Sequence, residues 1–391
     1  MQLNFNENFE RMEKRYLFSE ITARVAAYKS REGGSQKVIS LGICDVTLPI
    51  ARCVANEMAR AAEEMTTREG FCGYGETHGL HELRGAISSR YKRLGAHLDE
   101  DEIFINDGSK SDLGNIFDIF GDIEVLIPSP AYPVYLDACS MSGMRARILE
   151  TSAKNGFLPS PEGLPKNPFL IFLCSPNNPT GATFSREELY VWVDFALCSG
   201  SLIIFDAAYE GFVRSEKIPR SIFEISGAKD CAIEVCSLSK NAGFTGIRCG
   251  WSVVPRSLSP VHELWSRRQA TKFNGASYIA QRGAIAALSR EGERESFLRT
   301  DYYLENARIL AEVLAKKGIW FVGGEHSPYL WLKCPNGMKS WTFFDFLLEH
   351  AGIVGTPGVG FGEGGEGYFR FSSFASREDV LEAVVRFNKW L

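Results

Sequence analysis

No apolar run in this sequence reaches the roughly 18 residues that a membrane-crossing helix needs. Its first residues, MQLNFNENFERMEKRYLF, are polar and acidic. They lack the apolar centre of a secretory signal and the acid-poor character of a transit peptide, so a cytoplasmic protein is expected. A basic excess is missing too. The net charge is −5 and no run of like charges marks a tail or a membrane patch, which leaves no footprint for nucleic acid or membrane as a partner. The ten cysteines, at 44, 53, 72, 139, 174, 198, 231, 236, 249 and 334, include no C-x-x-C pair. Unpaired thiols in a reducing compartment fit that scatter better than a disulfide framework. His78 and His81 stand close together, but H-E-x-x-H is absent and no metal is expected. Nor does any repeat, low-complexity tract or linker divide the 391 residues, a length that fits roughly two to three domains at about 150 residues each.

What is present is an ordinary globular composition, 45% hydrophobic and 23% charged. In the middle of the chain, strand-length runs alternate with helical segments: IEVLIPSP, FLIFLCSP, SLIIFDAAY, AIEVCSLS and GWSVVP. Nearly unbroken Ile, Leu, Val and Phe signify strands buried on both faces, and their alternation with helices implies an α/β fold with a mostly parallel central sheet flanked by helices. Ser185 to Glu188 reads as a capping box that opens one crossover helix. From FLRTDYYLENARILAEVLAKKG onward, a long amphipathic helix precedes short strands and helices, which suggests a smaller α+β domain. The expected division is 1–45 as an N-terminal arm and part of the small domain, 46–285 as the large domain and 286–391 as the small domain.

Polar residues follow several of the strands, where open α/β sheets bind ligands. Lys240 ends SLSK, and Ser237-x-x-Lys240 matches a serine-nucleophile motif, but its S-D-N and K-T-G partners are missing. The other chemistry for such a lysine is a covalent bond to an aldehyde cofactor, with Ser237, Ser239 and Arg248 at hand for a phosphate. Asp206, at a strand end, is either a helix cap or a buried carboxylate awaiting a cation. Asn178 and Tyr209 offer hydrogen bonds to an oxyanion, although NNPTG also reads as a plain turn. Gly108, Ser109 and Lys110 precede a helix, a place that suits phosphate as well as an ordinary cap. The G-x-G-x-x-G at Gly360, Gly362 and Gly365 opens into a strand rather than a helix, which argues against a dinucleotide. Arg370, an arginine between aromatics, is suited either to a ligand carboxylate or to a structural ion pair.

Taken in order, GYGETHGLHELR, SPNNPTG, FDAAY, SLSKNAGFTGIRCGW and YFRFSS resemble the pyridoxal-phosphate-dependent aminotransferases of the aspartate aminotransferase superfamily, fold type I. The match runs from Tyr16 to Phe374. The resemblance implies pyridoxal 5'-phosphate as cofactor, Lys240 as its tether and proton shuttle, and Asp206 as partner of the ring nitrogen. It implies Asn178 and Tyr209 on the phenolic oxygen and Tyr132 stacked on the ring. Ser109, Lys110, Ser237, Ser239 and Arg248 would hold the phosphate, with Tyr74 and Asn274 reaching the cofactor from the neighbouring subunit of a homodimer. Arg370 and Asn178 would bind the substrate α-carboxylate. Tyr16, Cys44, Glu76, Lys110, Tyr132 and Asn274 would line the rest of the substrate pocket.

YLFSEI, LGICDVTLPI, DGSK, FNGAS and GGEHSPYLWLKCP further resemble the branch that exchanges LL-diaminopimelate and 2-oxoglutarate for tetrahydrodipicolinate and glutamate, in lysine and cell-wall precursor synthesis. Two positions depart from that branch: Cys44 stands where it has glycine, and the acidic Glu76 comes one residue early, with Thr77 in its place. Aspartate, aromatic or alanine aminotransferases, a β-lyase and a non-catalytic binding protein of the same fold remain the alternatives.

Overall fold

The computed structural model describes residues 4–12, 17–31, 37–42 and 45–390. Its centre is a seven-stranded sheet of β1 (Ile103–Asn106), β2 (Glu124–Ser129), β3 (Arg145–Glu150), β4 (Phe169–Cys174), β5 (Leu202–Asp206), β6 (Ala232–Ser237) and β7 (Gly250–Val253). The strand order is β1-β7-β6-β5-β4-β2-β3. The pairs among β2 to β6 are parallel, while β7 runs antiparallel to both of its neighbours. Every residue of β4, β5 and β6 is buried, which accounts for their unbroken apolar runs. β3, at the sheet's edge, reads RARILE and is mostly exposed.

Two apolar layers cover the sheet, one built around Ile171, Phe205 and Trp192 and the other around Phe172, Ile204 and Trp265. The crossover helix Arg186–Ser199 begins with the capping box: Ser185 Oγ accepts from Glu188 N at 3.2 Å, and Glu188 Oε2 accepts from Ser185 N at 2.7 Å.

A further core joins Leu17, Ile21, Tyr28, Ile39 and Leu41 to Leu310, Trp331, Phe371 and Phe387. The helix Leu17–Lys29 and the strand Ile39–Ser40, which pairs in parallel with Ile353–Val354, therefore share one interior with the C-terminal elements. Its four-stranded antiparallel sheet sets Arg370 opposite both Trp331 and Thr356. The long helix Arg290–Lys316 buries Tyr303, Ala307, Leu310 and Leu314, the spacing of one helical face.

The register brings the site together. Cys174 lies beside Asp206, and Asp206 beside Val235, so the carboxyl ends of β4, β5 and β6 are level. The chain leaves those ends through Asn178, Tyr209 and Lys240.

Candidate active site

At these strand ends a cavity of about 700 Å³ opens. Asp206 lines it at the end of β5 and Tyr209 just after, Ser237 at the end of β6 and Ser239 and Lys240 just after, and Asn178 from the turn after β4. Ser109, Lys110, Tyr132 and Arg248 complete that part of the wall, and Phe18, Ile21, Thr22 and Val25 of helix Leu17–Lys29 close the far side. Ten of the residues singled out in the sequence thus face one space.

Asp206 is 4% exposed. Its Oδ2 accepts the Tyr135 hydroxyl at 2.6 Å and its Oδ1 the Ala208 amide at 3.0 Å. Burial raises the pKa of this carboxyl above the ordinary aspartate value, and the two hydrogen bonds oppose that rise. Both donors are neutral. A buried carboxylate at a cavity wall in such surroundings is stabilised by a cation placed against it, as a protonated pyridine nitrogen would be.

The loop after β6 folds into a small cup. Ser237 Oγ donates to Ser239 Oγ at 2.9 Å and accepts the Ser239 amide at 3.1 Å, while Arg248 Nη1 reaches Ser239 Oγ at 3.1 Å. Arg248 adopts φ 68°, a left-handed conformation rare outside glycine, which turns its guanidinium back over the loop. Opposite it stands Gly108, φ 114°, where an added Cβ would collide with the Arg248 guanidinium. Two hydroxyls and a guanidinium packed this closely form a fitting cradle for a phosphate dianion. With the Asp206 surroundings, these residues fit pyridoxal phosphate.

Arg370 is fully buried. It donates through Nη1 to Asn178 Oδ1 at 2.5 Å and through Nη2 to Gly42 O at 2.9 Å and Thr356 Oγ1 at 3.1 Å. Its guanidinium carbon lies 4.4 Å from the Tyr329 ring centre and 4.8 Å from that of Phe361. Holding the Asn178 carbonyl in this way leaves the Asn178 amide nitrogen as the donor.

Arg370 is not itself in the cavity wall and reaches it through Asn178, and three more of the residues read from the sequence lie away from this cavity. Tyr74 is 90% exposed and Asn274 is exposed as well. The Glu76 carboxylate pairs with Arg84 at 2.5 Å, and Arg84 is itself pinned to Gly79 O and Glu100 O. Tyr16 and Cys44 fall outside the described residues. Sequence reading missed Tyr135, which holds Asp206, Thr245 in the cavity wall, and Tyr329, which bonds Tyr209. Tyr135 lies in the first turn of the helix Val134–Met141, and nothing in its local sequence marks it as the partner of Asp206.

This is the fold of an aminotransferase, and the chain belongs to the class I and II aminotransferases, whose family pattern matches residues 36–387. Within that class it belongs with the LL-diaminopimelate aminotransferases. It is 46% identical to the LL-diaminopimelate aminotransferase of Prochlorococcus marinus (strain MIT 9515), over 98% of this chain and 99% of that one. It is also 46% identical to the enzyme of the same name from Bacteroides fragilis (strain YCH46), over 99% of each chain. The solved L,L-diaminopimelate aminotransferase of Chlamydomonas reinhardtii superposes with a TM-score of 0.93 at 42% identity, over 100% of this chain and 99% of that one. Among the described residues no helix is long and apolar enough to cross a membrane, and no cluster of His, Cys, Asp and Glu could hold a metal ion.

Proposed function

We propose that this protein moves an amino group between LL-diaminopimelate and 2-oxoglutarate, giving tetrahydrodipicolinate and glutamate, with pyridoxal 5'-phosphate as cofactor, in a cytoplasmic homodimer. The observation that carries the chemistry is the meeting of Lys240, the buried Asp206 and Asn178 around one cavity, with Arg370 bonded to Asn178. The choice of substrate is supported by the relatives named above, and the substrate itself is a small molecule suited to a cavity of this size.

When bound, the cofactor supplies a protonated ring that draws electron density from the amino acid's α-carbon. This chain's residues do the rest. Asp206 keeps the ring nitrogen charged, because a neutral ring over a buried carboxylate would leave that charge uncompensated. Asn178 and Tyr209 hold the phenolic oxygen, and Tyr132 covers the ring. Ser109, Lys110, Ser237, Ser239 and Arg248 fix the phosphate. Arg370 and Asn178 receive the α-carboxylate, which turns the α-proton toward the Lys240 amine. That amine would take the proton from the α-carbon as base and, as acid, give it back on the carbon at the far side of the shared nitrogen. Running the sequence in reverse on 2-oxoglutarate completes a ping-pong cycle. Tyr74 and Asn274, exposed on one subunit, would complete the neighbouring site. Glu76 would set the loop that carries Tyr74 and present its outer oxygen to the distal ammonium.

The test uses the protein loaded with pyridoxal phosphate. LL-diaminopimelate is expected to remove the visible absorbance of the lysine-bound cofactor, and 2-oxoglutarate to restore it. An unchanged spectrum with LL-diaminopimelate overturns the substrate assignment. Arg370→Lys keeps the charge and loses the planar fork. Loss of a charge-assisted hydrogen bond, about 1.5–3 kcal/mol, should raise KM for the amino donor roughly 10- to 10²-fold with a smaller effect on kcat. An unchanged KM for every donor removes Arg370 from the carboxylate site.

A further inference from the structure

Tyr329 begins the strand Tyr329–Lys333 and is fully buried. Its hydroxyl lies 2.6 Å from that of Tyr209, and the two rings meet edge to face with centres 5.1 Å apart. The Arg370 guanidinium sits over the Tyr329 ring, 4.4 Å from its centre. One tyrosine therefore touches both the residue assigned to the phenolic oxygen and the residue assigned to the substrate carboxylate. It comes from the C-terminal sheet, whereas Tyr209 lies in the turn that follows β5 of the central one.

A phenol carries a single proton and two acceptor sites. When two hydroxyls share a hydrogen bond, one spends its proton on the other, and the acceptor's own proton is left to point elsewhere. A guanidinium against the ring face withdraws electron density and favours Tyr329 as the donor of the pair. With the Tyr329 proton on the Tyr209 oxygen, the Tyr209 proton can be given to an acceptor in the cavity that Tyr209 lines. Chains of hydrogen bonds of this kind also strengthen one another.

We infer that Tyr329 is a positioning residue for the amino-transfer reaction: by donating to Tyr209 it orients the Tyr209 proton toward the phenolic oxygen of the cofactor and links that bond to Arg370. This rests on the function proposed above. Tyr209 stabilises negative charge on the phenolic oxygen, and that charge is largest when the nitrogen joining Lys240 to the cofactor is unprotonated. Removing the Tyr329 hydroxyl weakens the stabilisation and makes that nitrogen harder to deprotonate.

The experiment is a pH titration of the visible absorbance of the pyridoxal phosphate-loaded protein, for wild type, Tyr329→Phe, Tyr209→Phe and the double variant, with a thermal melt of each. In Tyr329→Phe the spectral midpoint should rise by roughly 0.4 to 1 pH unit, the worth of one net hydrogen bond. Its kcat should fall about 3- to 10-fold with KM for the amino donor within a factor of about two. In the Tyr209→Phe background the added Tyr329→Phe change should leave the midpoint where it is, since both act through one bond. A Tyr329→Phe protein with a lower melting temperature but the wild-type midpoint would show a packing role only and overturn the inference. Equal midpoint shifts with and without Tyr209 would do the same. A wild type that takes up no pyridoxal phosphate overturns the proposed function itself, and this inference with it.

Discussion

Lys240→Ala should bind pyridoxal phosphate without the visible absorbance of a lysine-bound cofactor and should lose amino transfer by more than roughly 10⁴-fold. General acid–base catalysis alone contributes about 10² to 10⁴. In the proposed reaction Lys240 adds to this the covalent tether that would hold the aldehyde in place before the substrate arrives. The position leaves little room for a substitute. Lys240 lines the cavity with Ser237 and Ser239, and its nitrogen is 5.5 Å from the centre of the Phe374 ring. The other lysines of the cavity wall belong to different elements: Lys110 to the helix Ser109–Asn115 after β1, and Lys29 to the end of helix Leu17–Lys29. The check is the single-turnover rate with a saturating amino donor, together with the spectrum. Residual turnover within about 100-fold of wild type would assign the proton to another group.

Asp206→Ala has the next largest expected effect. Leaving one member of a buried charge pair alone costs about 3–5 kcal/mol. If that loss falls on the transition state, turnover slows roughly 10²- to 10⁴-fold. Asp206→Asn separates charge from shape, because it preserves the size of the side chain and the acceptor for the Tyr135 hydroxyl. Both variants should be slow, and both should bind the cofactor less tightly. A normal rate in Asp206→Asn would mean that the ring needs no carboxylate. The carboxyl's raised pKa sharpens this reading: burial pushes it toward its neutral form in the absence of a cation, so binding a protonated ring should draw the proton off Asp206.

How much of this was visible in the sequence follows from which contacts are local. β4, β5 and β6 were readable because their residues are buried on both faces and nearly all apolar. β3 was not, because an exposed edge strand such as RARILE carries no apolar run to mark it. The pairing of Ile39–Ser40 with Ile353–Val354 spans most of the chain and has only two residues in each strand. Within the site, Asp206, Asn178, Ser237, Ser239 and Lys240 stood out because each directly follows or ends a recognisable strand. Arg370 was conspicuous as an arginine between Phe369 and Phe371, but alternate residues of a strand face opposite sides, and the rings against its guanidinium are Tyr329 and Phe361. Tyr329 itself looked like one more aromatic in an apolar strand, since nothing local signals a hydroxyl partner 120 residues away. Glu76 was legible as an acid but not as the partner of Arg84, which sits on the following helix, His81–Arg93.

The most direct test of the central claim is the donor preference of the pyridoxal phosphate-loaded enzyme with 2-oxoglutarate as acceptor. Glutamate formation is compared for LL-diaminopimelate, meso-diaminopimelate, aspartate, tyrosine and alanine, and tetrahydrodipicolinate is trapped as it forms. LL-diaminopimelate should give the highest kcat/KM, with tetrahydrodipicolinate and glutamate appearing in equal amounts. A higher kcat/KM for aspartate, tyrosine or alanine, or glutamate formed without tetrahydrodipicolinate, would contradict it.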